Sequence, residues 1–117
     1  MVSNNSTRAV TAYLELHGLS EGIARIAART SPDPALLKPS PHLVEKAIGA
    51  LNADPAASAF VGDALTDIEA SRRAGIASIG YASEPGSHER MAHAHAGAVI
   101  TSMAELALSL RAHPLPN

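Results

Sequence analysis

The sequence predicts an α/β domain: a parallel β-sheet with helices packed on its faces. Three observations carry that expectation. Short apolar runs alternate along the chain with segments whose apolar residues recur at helical spacing, the pattern of parallel strands joined by helical crossovers. Residues 57–75 pass from one period to the other within a single stretch: an apolar run through Ala59, Phe60 and Val61 reads as a buried strand. Gly62 and Asp63 then turn the chain, and a helix follows that Gly75 closes in the C′ position. The composition, 117 residues and 46% hydrophobic, bounds the chain to one domain; with only 3% aromatic residues and much alanine the core is expected to be thin.

Taken in order, Met1 and Val2 precede a polar cluster from Ser3 to Thr7, with Ser3 and Asn4 read as the end of a short strand. Val10, Tyr13 and Leu14 then recur at helical spacing until Gly18. Read locally, Ser3 to Ser6 serve equally well as an N-cap cluster for that helix. Gly22 to Ala28 is an apolar run expected to be a strand, broken by Thr30-Ser31-Pro32-Asp33-Pro34. So few residues separate it from Lys38 that no folded insertion fits between them; a cap over a substrate would have to lie upstream of Met1. Lys38 is held extended by Pro39. Ser40 and Pro41 supply an N-cap and a first-turn proline for a helix carrying Leu43, Val44, Ala47, Ile48 and Leu51. In the helix after Asp63, Thr66 and Glu69 are spaced as a capping box. Ile76 to Tyr81 reads as a strand, Ser83 to Ser87 as a loop, His88 to Ala96 as a short polar helix and Ala98 to Thr101 as a last strand. Ser102 with Glu105 opens a helix ending near Ala112. The expected domain is 1–112, with 113–117 a frayed tail.

Several function classes are disfavoured. A net charge of −2, with no aromatic residues interleaved among basic ones, offers no nucleic-acid surface. The absence of cysteine excludes disulfides and thiolate metal sites and fits a cytoplasmic protein. No apolar run approaches the roughly 18 residues that span a bilayer, so no membrane association is expected. His88, His93 and His95 invite a metal-site reading, but residues two apart do not share a helix face and no carboxylate is spaced to join them; they are expected to decorate an exposed helix.

The chemistry points to the two carboxylates of the anchor stretch. Asp63 falls just past the carboxyl end of a strand and Asp67 in the first helical turn, the crevice edge at which open parallel α/β sheets bind ligands. Two carboxylates there can hold a hard cation such as Mg²⁺, which takes a few protein oxygens together with water and phosphate. The plainer reading makes Asp63 a turn residue and Asp67 a complement to the helix dipole.

Gly62-Asp63-Ala64-Leu65-Thr66-Asp67, followed by Ile68-Glu69-Ala70 and Arg73-Ala74-Gly75, resembles the fourth motif of the haloacid dehalogenase-like (HAD) phosphohydrolases. Lys38-Pro39-Ser40-Pro41 resembles their third motif and Val2-Ser3-Asn4 their second, in the family's order and over nearly the whole chain. The resemblance implies a three-layer α/β/α Rossmann-like fold and Mg²⁺-dependent hydrolysis of a small phosphorylated substrate. It implies that Ser3 and Asn4 hold a phosphoryl oxygen, that Lys38 is catalytic and phosphate-binding by offsetting negative charge and pairs with Asp63, and that Asp63 and Asp67 serve the metal. Ala64 departs from the hydroxyl residue found in many relatives.

The family's first motif, Asp-x-Asp, which carries the nucleophile and the general acid/base, has no counterpart: the aspartates are at 33, 54, 63 and 67, and Asp33 and Asp54 each precede a proline in a turn. In the family's strand order the missing strand lies between those ending at Ser3 and Gly62. The sheet is therefore expected to be incomplete at its first strand, with exposed edges for an N-terminal segment or a second copy to cover. The expectation is the C-terminal part of a phosphatase, inactive alone; the alternatives are a non-catalytic phospho-ligand or protein-interaction module and one chain of a split enzyme.

Overall fold

The computed structural model describes residues 1–112; the tail expected at 113–117 lies outside the described residues. Five strands and five helices alternate: β1 (Val2–Ser6), α1 (Thr7–Leu16), β2 (Ala27–Arg29), α2 (His42–Leu51), β3 (Ala59–Gly62), α3 (Leu65–Arg73), β4 (Ala77–Tyr81), α4 (Ser87–His93), β5 (Ala98–Ile100) and α5 (Met103–Ala112). All the strand pairs are parallel, as the alternation predicts.

The sheet is in two pieces. β1 pairs with β2, and β3, β4 and β5 form a second ladder in that order. Among the described residues no ladder joins β1 to β3. Two apolar clusters match this division. Val10 and Leu14 of α1 pack on Ala28 of β2, while Val44 of α2, Ala70 of α3 and Ile76 form a second cluster. Val2 of β1 and Phe60 of β3 both pack against the second cluster, so α2 and α3 hold the two ladders together from one side.

The helix ends follow from local chemistry. Ser6 accepts a hydrogen bond from the Ala9 N–H at the start of α1. α3 ends in a Schellman motif: Gly75 has φ +74°, its N–H donates to the Arg72 carbonyl, and the Ile76 N–H donates to the Ser71 carbonyl. Ser102 Oγ accepts from the Ala104 N–H, while Glu105 reaches back to the Thr101 N–H.

Four expectations are corrected. The strand predicted over 22–28 shrinks to Ala27–Arg29, and Ser20–Gly22 is a 3₁₀ turn. Pairing begins at Val2 opposite Ala27, so the residues before Ala27 have no partner strand. Thr66 and Glu69 do not cap α3: Glu69 pairs instead with Arg73 one turn on, and the cap comes from Asp67. The helix predicted over 88–96 is shorter and is not wholly polar, since Met91 and Ser87 are buried while His88 and His93 face solvent. β3, predicted to be buried, has Ala59 exposed and Phe60 and Val61 only half-buried, because one of its edges has no neighbour among the described residues.

Candidate functional site

The carboxyl ends of β1 and β3 converge on Lys38. The Asn4 side chain clamps the lysine backbone from both sides: the Lys38 N–H donates to Asn4 Oδ1 at 2.8 Å, and Asn4 Nδ2 donates to the Lys38 carbonyl at 3.3 Å. Held there, Lys38 sends its side chain across to α3. Its ammonium forms an ion pair with Asp67 Oδ1 and lies 5.7 Å from the centroid of the Phe60 ring. The pair is largely withdrawn from water, with the two side chains 12% and 7% exposed.

Asp67 has both oxygens engaged. Oδ2 accepts the Ala64 N–H at 3.1 Å, one half of a capping box whose other half cannot form because Ala64 has no side-chain oxygen. The packing that fixes this carboxylate depends on Gly62. A Cβ at position 62 would lie 2.3 Å from Asp67 Cβ and 2.6 Å from Oδ2, so only a residue without one lets α3 start this close to the strand end.

Asp63 differs from Asp67 in every respect. It is exposed, and it stands between two cavities, one of about 340 Å³ that it shares with Lys38, Asp67, Tyr81 and Met103, the other of about 290 Å³ that it shares with Ser83, Glu84, Ser87 and Arg90. Lys38, Asp63 and Asp67 are thus brought to one cavity, though the lysine pairs with Asp67 and not with Asp63. Ser3 does not line that cavity; its Oγ accepts the Asn5 N–H at 3.1 Å, which leaves its own proton free to donate. Asp33 and Asp54 cap turns through the Ala35 and Ala56 N–H groups. Gly62 and the Asn4 amide are the residues whose positioning roles the sequence reading missed. The signal for the first was a glycine directly ahead of the Asp63 turn; for the second the linear sequence has none, because the contact spans 34 residues.

The donor set bears on Mg²⁺. Among the described residues no group of three or more carboxylate or histidine ligands comes together. One ammonium against two carboxylates leaves the cavity with one negative charge in excess, so a phosphate dianion would be repelled unless a divalent cation entered with it. Asp63, exposed beside the ion pair, fits one side of a magnesium shell, and Asp67, already bonded twice, fits its outer layer.

Comparison with known proteins bears on the family and the fold. The HAD-hydrolase-like family profile matches residues 36–106, whereas no curated protein matches the chain. Among solved structures, a conserved haloacid dehalogenase-like protein of unknown function from Agrobacterium tumefaciens is 25% identical with a TM-score of 0.83, over 95% of this chain and 52% of that one. A HAD family hydrolase from Deinococcus radiodurans, solved with bound phosphate and sodium, is 26% identical with a TM-score of 0.75, over 93% of this chain and 49% of that one. A predicted phosphoglycolate phosphatase from Haemophilus somnus shares the fold at 24% identity and a TM-score of 0.75, over 90% and 46% of the two chains. The chain spans about half the length of the solved structures it matches. With the family profile covering more than half of its residues and a strand-end Asp63 set beside a Lys38–Asp67 pair, this chain belongs to the HAD-like hydrolases.

Proposed function

We propose that the chain carries the phosphate- and magnesium-binding part of a phosphomonoester hydrolase that works through an aspartyl-phosphate, and that it does not turn over by itself. The observation that carries this reading is the cavity at the ends of β1 and β3, where a half-buried lysine, an exposed carboxylate and a doubly bonded carboxylate meet. In this scheme the Lys38 ammonium, already held by Asp67, spreads positive charge toward the phosphoryl oxygens and the attacking group. The Ser3 hydroxyl and the Asn4 N–H, at the end of β1 beside the cavity and not on its lining, would take one phosphoryl oxygen as neutral donors once the ligand reaches the strand end, needing no counter-ion of their own. Asp63 would ligate Mg²⁺ directly, with Asp67 supporting it from behind; the ion, when bound, supplies charge neutralisation for the dianion. The attacking aspartate lies outside these 117 residues, which hold no Asp-x-Asp. The reading takes a small phosphorylated molecule as ligand and a cytoplasmic setting. Among the described residues no helix is long and apolar enough to cross a membrane.

The test is calorimetric titration of the chain with orthovanadate, with and without Mg²⁺, alongside hydrolysis of p-nitrophenyl phosphate. Binding is expected only with Mg²⁺ and is expected to be lost in Asp63→Ala, with hydrolysis at the buffer rate. Hydrolysis by the chain alone that Asp63→Ala removes would overturn the claim of inactivity; vanadate binding indifferent to both Mg²⁺ and Asp63 would overturn the site.

A further inference from the structure

We propose that a separate cavity, between α3 and the end of α4, binds a phosphate group through Arg72, His93 and His95. Its lining includes none of Lys38, Asp63 or Asp67, so it stands apart from the site described above.

The cavity measures about 260 Å³ and is lined by Leu65, Glu69 and Arg72 of α3 and by His93, Ala94 and His95 at the end of α4. On a continuous helix two histidines at this spacing would face different ways. α4 stops at His93, however, and His95 lies in the turn beyond it, so both residues reach the same cavity.

His95 stands where local chemistry favours a different residue. The Ala96 N–H donates to the Met91 carbonyl and the His95 N–H to the Ala92 carbonyl, a Schellman motif with His95 in the C′ position at φ +65°. The corresponding turns after α1 and α3 use Gly18 and Gly75, and the turn after α2 uses Asn52. A Cβ is strained in this conformation, and His95 is exposed, so packing returns little of that strain. What the side chain adds at this position is a polar imidazole on the cavity wall.

The charges favour an anion. Among the described residues the ion pairs are Lys38–Asp67 and Arg73–Glu69, so Arg72 and both histidines have no acid partner. Glu69, the one carboxylate of the lining, is already matched by Arg73 at 2.8 Å. The carbonyls of Arg90, Met91 and Ala92, which would repel an anion at the end of α4, each accept a backbone N–H of the closing turn. Counting Arg73, the surroundings carry one guanidinium in excess, together with two imidazoles able to donate. With no group of three metal ligands among the described residues, these histidines suit an anion better than a metal shell. Donors from three side chains match a tetrahedral phosphate, whose oxygens point several ways, better than a planar carboxylate. Both walls are fixed from behind. Met91 packs so closely on β4 that a Cβ at Gly80 would lie 2.6 Å from its Sδ, and Ile68, Ala70 and Ser71 bury the inner side of α3.

The experiment follows the amide, imidazole and guanidinium signals of the 117-residue chain by NMR during titration with inorganic phosphate, at fixed pH and ionic strength with EDTA present. Saturable shifts are expected at Arg72, His93 and His95. A second arm uses glycerol phosphate, and the tighter of the two ligands tells whether the group arrives free or carried on a small molecule. Acetate should bind at least about tenfold more weakly, having fewer oxygens to share among the donors. His95→Gly relieves the backbone, so its thermal midpoint should not fall, yet its phosphate affinity should drop about tenfold, the loss of one hydrogen bond to a charged group. Arg72→Gln should lower the affinity at least as much. Asp63→Ala should leave it unchanged, which separates this cavity from the phosphate and magnesium site. Shifts that map elsewhere, equal binding of acetate, an unaltered affinity in His95→Gly or Arg72→Gln, a lowered midpoint in His95→Gly, or dependence on Asp63 would each overturn the proposal.

Discussion

Replacing Asp67 by alanine strands the Lys38 ammonium in a place built for two charges. The cost can be worked from the structure in two parts. Loss of the bond from the Ala64 N–H removes the N-terminal cap of α3, about 1 kcal/mol. Loss of the ion pair leaves an ammonium on a side chain only 12% exposed; breaking a fully buried pair costs about 3–5 kcal/mol, and access to the open cavity reduces that here to about 2 kcal/mol. The sum is about 3 kcal/mol. Lys38→Met keeps the stem that lies against Phe60 and leaves Asp67 with its backbone donor, so about 1–2 kcal/mol is expected. The double variant should cost less than the sum of the single ones by about 1–2 kcal/mol, the coupling of two groups in contact. Urea unfolding followed by circular dichroism measures all three. With a slope near 2 kcal/mol per molar urea, Asp67→Ala should lower the midpoint by about 1.5 M. A coupling energy within error of zero would refute the argument, because it would mean that the pair is effectively in water.

Further predictions follow from the same geometry. Gly62→Ala forces a methyl group onto Asp67 and should cost about 1–3 kcal/mol in urea unfolding, with loss of Mg²⁺-dependent vanadate binding; an unchanged midpoint would show that α3 gives way freely. Asn4→Ala removes both clamps on Lys38 and should cost about 1–2 kcal/mol, whereas a loss no greater than that of an exposed alanine substitution would make the clamp incidental. Asp63→Ala, at an exposed position, should change the unfolding free energy by less than about 0.5 kcal/mol while abolishing the effect of Mg²⁺ on vanadate titrations. Ile68→Ala, at a fully buried side chain, should cost about 2–5 kcal/mol.

The alternation of strands and helices and the helix stops at Gly18 and Gly75 could be read along the chain, because they depend on periodicity and on a glycine able to take positive φ, which are local properties. The gathering of Lys38 with Asp63 and Asp67 followed only from the resemblance of three motifs to one family, since the residues that meet are some 25 to 29 positions apart. The true length of β2 was not legible, because a strand extends only as far as its neighbour and that neighbour lies some 25 residues away in sequence. The cap of α3 was misassigned because Thr66–Glu69 and the Asp67 carboxylate compete locally on similar terms, and the winner was set by a distant lysine that pins Asp67.

By itself, then, the sequence determined the class of fold, the order of its elements and which residue types could meet a phosphate. Only the tertiary structure decided which carboxylate the lysine takes, which one is left facing the cavity, and that β1 and β3 stand apart as two open edges. The physical reason is range: turns, caps and periodicity are decided within a few residues, whereas pairing partners and strand neighbours are decided by packing between segments far apart in the chain.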